Sequence, residues 1–171
     1  MKRVKIELSE SGFSHAIDEI RAYRESLTEK TERLKKRVAD ELAAEAQAYF
    51  DASGYDDLTV GGMRKPNVNV SVEVSGNVVV VIADGEEAIF VEFGAGVYHN
   101  GAAGASPHPN GASLGYTIGS YGENGKRRAW GFIGEDGVVH ITRGTPAQMP
   151  MYRATQIIIS KIPKIAREVF A

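Results

Sequence analysis

From Phe13 to about Ala52 the apolar residues Phe13, Ile17, Ile20, Leu27, Leu34, Val38, Leu42, Ala46 and Tyr49 recur at spacings of three, four or seven, and no proline interrupts them. That spacing lines one stripe of a helix. Acid-first pairs four residues apart, Glu29 with Arg33 and Glu32 with Lys36, lace the opposite face. A helix this long with so narrow a stripe cannot bury itself, so the stripe has to lie on a sheet or on a neighbouring subunit. Ser26-Leu-Thr-Glu29 fits a capping box, which leaves two arrangements open: a short helix that breaks near Ser26 and restarts, or a single rod. Gly54, closing Asp51-Ala-Ser-Gly54, suits a left-handed helix cap.

After an exposed connection over 55–66 the period changes. Val68, Val70, Val72 and Val74 alternate with Asn, Ser and Glu, the signature of a strand with one wet face, and Ser75-Gly76-Asn77 turns the chain into a second strand from Val78 to Ala83. Asp84-Gly85-Glu86-Glu87 leads to the apolar run Ala88 to Phe93, which we expect as a third strand. Arg128 to Ile133 and Val138 to Thr142 flank Gly134-Glu-Asp-Gly137, a second hairpin. Pro150 is a good first helical residue, and Ala154, Ile158, Ile162, Ile165 and Val169 share one face of a final helix that Pro163 should kink or interrupt. The expected fold is α+β in one domain, 1–171. A helical region occupies 1–54, and an antiparallel sheet of about four to five strands occupies 67–145 with a long glycine-rich loop at 94–127. A C-terminal helix occupies 149–171, and the two helical regions pack on the sheet.

Composition narrows the chemistry. There is no cysteine, which removes disulfides, thiolate nucleophiles and every cysteine-based metal site. The net charge of −2 hides a gradient: residues 1–50 carry ten basic and ten acidic groups, 51–125 two and nine, and 126–171 eight and three. Such a chain can pair with copies of itself, whereas binding of nucleic acid by its whole surface is not expected. No apolar run approaches the roughly 20 residues of a membrane span, and the first residues lack the apolar stretch of a signal peptide, so a cytoplasmic site of synthesis and no membrane partner are expected.

The segment 94–125 holds nine glycines, and its length points to a functional or mobile loop. It contains neither GxxxxGK[ST] nor GxGxxG and opens no helical pattern, so it is not read as a phosphate cradle. His99, His108 and His140, with Glu92, Glu135 and Asp136, are suitable donors for a metal-dependent hydrolase, but none forms a closely spaced pair on a rigid element. Polar loop and strand-edge roles are therefore the preferred reading, with no cofactor and no metal. Ser113, Thr117 and Ser120 lie in no nucleophile motif, and the neighbouring acids Asp56-Asp57 and Glu86-Glu87 read as solvated charge. Lys126, Arg127 and Arg128 form a short basic run able to touch phosphates, as if lining a DNA channel, though a solvated strand entrance is the preferred reading.

Several stretches together resemble a known family. They are Val91-Glu-Phe-Gly94, His108-Pro109, Gly115-Tyr-Thr-Ile-Gly119 with Tyr121-Gly122, Gly125-Lys126, the aromatic strand at Trp130, and Gly144-Thr-Pro-Ala147-Gln-Met-Pro150-Met-Tyr-x-Ala154. In this set the chain resembles the head–tail joining or tail-completion proteins of long-tailed, lambda-like phages, the gene product ten family. The departure is Gln148-Met149, where many members carry Arg-Pro, so no basic side chain stands there. The resemblance implies a virion structural part without catalytic residues, made in the bacterial host cytoplasm. It would assemble as a homo-oligomeric ring with other neck or tail proteins. The contact residues expected on this reading are Glu92, Phe93, Gly94, Gly96, Tyr116, Tyr121, Trp130, Met149, Met151 and Tyr152, with Gly94 and Gly96 supplying unusual backbone angles.

Overall fold

In a computed structural model of the chain, the structure describes residues 9–95, 106–111, 113–114, 129–134 and 136–171. The elements in order are α1 (Glu10–Ala52), β1 (Tyr55–Asp57), β2 (Gly62–Arg64), β3 (Asn69–Ser75), β4 (Val78–Asp84), α2 (Ala88–Phe93), β5 (Trp130–Ile133), β6 (Val139–Thr142) and α3 (Pro150–Phe170). The chain is α+β, with the long first helix and the final helix where the periodicity put them. Among the described residues, however, the strands form three separate two-stranded antiparallel sheets, β1–β2, β3–β4 and β5–β6, and not one sheet of four to five strands.

Two local reasons account for the difference. The run Ala88 to Phe93 is a helix. Its buried residues are Ala88, Val91 and Glu92, an i, i+3, i+4 set that a turn of helix can turn inward and a strand cannot. Among the described residues no third strand joins the β3–β4 hairpin. The segment expected as an exposed connection supplies β1 and β2, with Tyr55, Asp56 and Asp57 all buried. The Leu58 N–H donates to the Ile141 carbonyl at 2.6 Å, and the Ile141 N–H to the Thr59 hydroxyl at 2.8 Å, so β6 is tied to the end of β1.

Packing separates two compact units. One comprises residues 1–38 and 161–171, the other 39–160. In the first unit, the Ser9 hydroxyl caps α1 by accepting the Gly12 N–H at 3.1 Å. Nothing breaks the helix at Ser26: the Thr28 and Thr31 hydroxyls donate back to the Arg24 and Leu27 carbonyls inside the helix, so the capping box is not used. Arg37 pairs with Glu168 at 2.6 Å, Lys30 Nζ reaches the Phe170 and Ala171 carbonyls at 3.4 and 3.3 Å, and Ile165 and Val169 are buried. Of the kink or interruption expected at Pro163, the interruption does not occur: α3 runs through it.

The second unit has its core in Phe50, Val68, Ala88 and Val91, with Val70, Ala83 and Met151 packed around them. The Gln47 side chain donates to the Val68 carbonyl at 3.0 Å and accepts the Val70 N–H at 2.7 Å, which fastens α1 to the start of β3. Gly85, at φ 150°, turns β4 into α2, and a Cβ there would sit 2.3 Å from the Asn67 carbonyl oxygen. Gly54 does not take the left-handed conformation expected of it. Its backbone is held instead by the Gln148 amide, which accepts the Gly54 N–H at 3.2 Å and donates to the Gly54 carbonyl at 2.5 Å.

Candidate functional site

Glu92 lies on the inner face of α2 and is buried, 6 % exposed. Its carboxylate meets the start of α3. Oε2 accepts the Met151 N–H at 2.8 Å, and Oε1 accepts the Tyr152 N–H at 3.0 Å. These are two of the N–H groups that a helix leaves without internal partners, and a negative charge placed there also meets the positive end of the helix dipole. The third donor is His108 Nε2, 3.0 Å from Oε1. The Asn110 N–H points at His108 Nδ1 from 3.0 Å, so Nδ1 is the acceptor and Nε2 carries the hydrogen: a neutral imidazole whose tautomer is fixed by its neighbours. The His108 ring lies against Phe93, centroids 4.5 Å apart, and edge-on to Tyr152 at 5.2 Å.

The surrounding backbone locks the same group together. Ser106 Oγ donates to the Phe93 carbonyl at 2.5 Å and accepts the His108 N–H at 3.2 Å. The Gln148 N–H donates to the Val91 carbonyl at 2.8 Å, and Ala95 and Thr145 exchange bonds of 2.8 and 2.7 Å. Gly94 ends α2 at φ 81°, the unusual angle expected of it. Met149 just ahead of α3 has φ 57°, a left-handed conformation in a residue with a side chain.

A second cluster is centred on His140 of β6, where His140 and Asp57 are buried and Asp136 is exposed. Nδ1 lies 2.8 Å from Asp57 Oδ2, and Nε2 lies 3.0 Å from Asp136 Oδ1. Each ring nitrogen therefore faces a carboxylate, which requires both to carry hydrogen and the ring to be an imidazolium. The hydrogen bonds to Asp136 first and Asp57 second hold the His140 pKa above its ordinary value. Burial alone would raise Asp57, but the bonds from His140 and Thr59 outweigh it and leave its pKa below the usual carboxylate value. Asp136 is lowered by the His140 bond and then by the Val138 N–H. Arg64 Nη1 stands 3.4 Å from Asp57 Oδ2, and the ring of Phe132 stacks on His140 with centroids 5.4 Å apart. Next to this cluster, Asp56 takes the Arg143 N–H at 2.8 Å and Arg143 Nη2 at 2.8 Å. A cavity of about 260 Å³ opens beside His140, with Tyr55, Arg64, Glu87, Phe132 and Asp136 among its walls. Burial, and then the charge of Glu87, push the Tyr55 phenol up to about 12.

Of the residues singled out in the sequence, the fold brings Glu92, Phe93, Gly94, Met149, Met151 and Tyr152 into one neighbourhood and adds His108. Glu92 is inside that neighbourhood, with both carboxylate oxygens engaged within the chain. Trp130 pairs through its backbone with Thr142. Gly96, His99, Tyr116, Thr117, Ser120, Tyr121, Lys126, Arg127, Arg128 and Glu135 lie outside the described residues, as does most of the glycine-rich segment. Sequence reasoning missed Asp56, Asp57, Arg64 and Gln148. Asp56-Asp57, expected as solvated charge, is buried, and the signal available was the aromatic Tyr55 beside two acids, too short a run to show alternation.

The chemistry these groups can perform is limited. The carboxylates of Glu92, Asp57 and Asp136 and both nitrogens of His108 and of His140 are committed to partners within the chain. The two histidines share none of those partners. Among the described residues no three His, Cys, Asp or Glu side chains are placed to hold a metal ion, and no helix is long and apolar enough to cross a membrane. Comparison with protein-family models, with curated proteins and with solved structures yields no match to this chain.

Proposed function

We propose that the chain is a phage or prophage virion component acting in head–tail joining or tail completion, through assembly with copies of itself and with neighbouring neck or tail proteins, and that it is not an enzyme. The observation that carries this reading is the convergence on Glu92. Three segments that bear the family resemblance, Val91–Gly94, His108-Pro109 and Gly144–Ala154, are far apart in sequence, yet they meet around one buried carboxylate. A buried junction of this kind shapes a scaffold, and both carboxylate oxygens of Glu92 and both ring nitrogens of His108 are engaged within the chain. On this reading the finished location is the virion after synthesis in the bacterial cytoplasm, the oligomer is a ring closed by heterologous contacts, and any contact of Lys126–Arg128 with DNA is weak.

The metal-dependent hydrolase receives less support, because the ring nitrogens of His108 and of His140 are taken by two different sets of partners. The test is genetic. Deleting the gene from the phage or prophage that encodes it should yield unjoined heads and tails or tailless particles under the electron microscope. Tyr116→Ala and Tyr121→Ala variants that fold normally should do the same. Normal infectious particles from the deletion would overturn the proposal.

A further inference from the structure

On the part of α1 that lies in the first compact unit, residues four and seven apart carry an apolar seam. Phe13, Ile20, Leu27 and Leu34 repeat at intervals of seven, the a positions of a heptad, and Tyr23 takes the d position between Ile20 and Leu27. From Lys30 onward the seam is covered within the chain: Lys30 and Arg37, at d positions, bond the end of α3, and Leu34 is half-buried. Ahead of Lys30 it is not. Phe13 is 50 % exposed, Ile17 49 %, Ile20 54 %, Tyr23 49 % and Leu27 37 %. Ala16 is already buried, so the uncovered seam is carried by Ile20, Tyr23 and Leu27, with Phe13 and Ile17 at its far end.

The charges beside the seam say what fits it. In this frame Glu19 is a g residue and Arg24 the following e residue, five apart. In a parallel coiled coil the g residue of one helix meets the e residue five places on in its partner, so two copies in register would form Glu19–Arg24 pairs in both directions. Within one helix a separation of five places them on different faces and they cannot pair. Asp18 and Arg21, outside the seam, are paired with each other at 3.5 Å, while neither Glu19 nor Arg24 has an ion pair within the described residues. We propose that the Glu19–Leu27 segment of α1 docks on the same segment of a second copy of this chain as a parallel, in-register coiled coil. The inference stands apart from the virion reading, since it rests on this helix alone.

The experiment uses the full chain in sedimentation equilibrium. The wild type should self-associate with rising concentration. Ile20→Glu with Leu27→Glu, both at exposed positions, should be monomeric at every concentration with unchanged helical circular dichroism and melting. Glu19→Arg and Arg24→Glu should each weaken association roughly tenfold, and the double reversal should restore it to within about threefold of wild type. A wild type that stays monomeric at about 100 µM overturns the proposal. So does association that ignores the charge reversals, or reversals that fail to rescue each other.

Discussion

Removing the Glu92 carboxylate should destabilise the second unit strongly. Three donors, the Met151 and Tyr152 N–H groups and His108 Nε2–H, converge on a side chain only 6 % exposed. Glu92→Ala leaves all three without an acceptor, and each stranded buried donor costs about 1–3 kcal/mol, so a loss of about 3–9 kcal/mol is expected, with water entering the space bringing it to the lower end. Glu92→Gln keeps one carbonyl oxygen but turns an NH2 toward a donor. It also removes the charge from the start of α3, a term of about 0.3–1 kcal/mol, giving about 2–3 kcal/mol in all. Urea unfolding followed by circular dichroism measures both. If the junction acts as one unit, Glu92→Gln and His108→Ala will also couple, by about 0.5–3 kcal/mol in a double-mutant cycle. A Glu92→Gln protein within about 0.5 kcal/mol of wild type would refute the idea that this carboxylate holds α2 and α3 together.

The His140 cluster predicts a pH window. His140 is raised, so its contribution is complete below its ordinary value of 6.5 and fades as pH climbs through the raised value. Asp57 and Asp136 are lowered, so theirs is complete above 3.8 and fades as pH falls through the lowered values. The clamp is therefore at full strength between those limits, and His140→Gln should remove the alkaline decline in urea midpoint. A midpoint profile unchanged by the substitution would refute this. Met149→Gly should stabilise the protein by about 0.5–1 kcal/mol by relieving a left-handed residue, read as a raised melting temperature. Gln148→Ala should cost about 1–3 kcal/mol in the same assay, for the two bonds to the Gly54 backbone.

Long-period signals were legible in the sequence and short ones were not. α1, the β3–β4 hairpin with its Ser75-Gly76-Asn77 turn, the β5–β6 hairpin and the start of α3 at Pro150 were all readable, because each rests on a repeated spacing or a strong turn residue. α2 was misread. A six-residue apolar run satisfies both periods, and only the burial of Ala88, Val91 and Glu92 decides between them. Resemblance brought Glu92 and Met151-Tyr152 forward, but not their partnership, which depends on a carboxylate meeting a helix start fifty-nine residues away. Asp57 and His140 are eighty-three residues apart, and nothing local in a pair of acids foretells a histidine that will share one of them.

The amide of Gln47 has one more effect. By occupying the Val68 carbonyl and the Val70 N–H, it fills polar positions where an incoming extended segment would dock on the opening residues of β3. A foreign chain seeking to lengthen that hairpin at this end of β3 meets a side chain already bonded there.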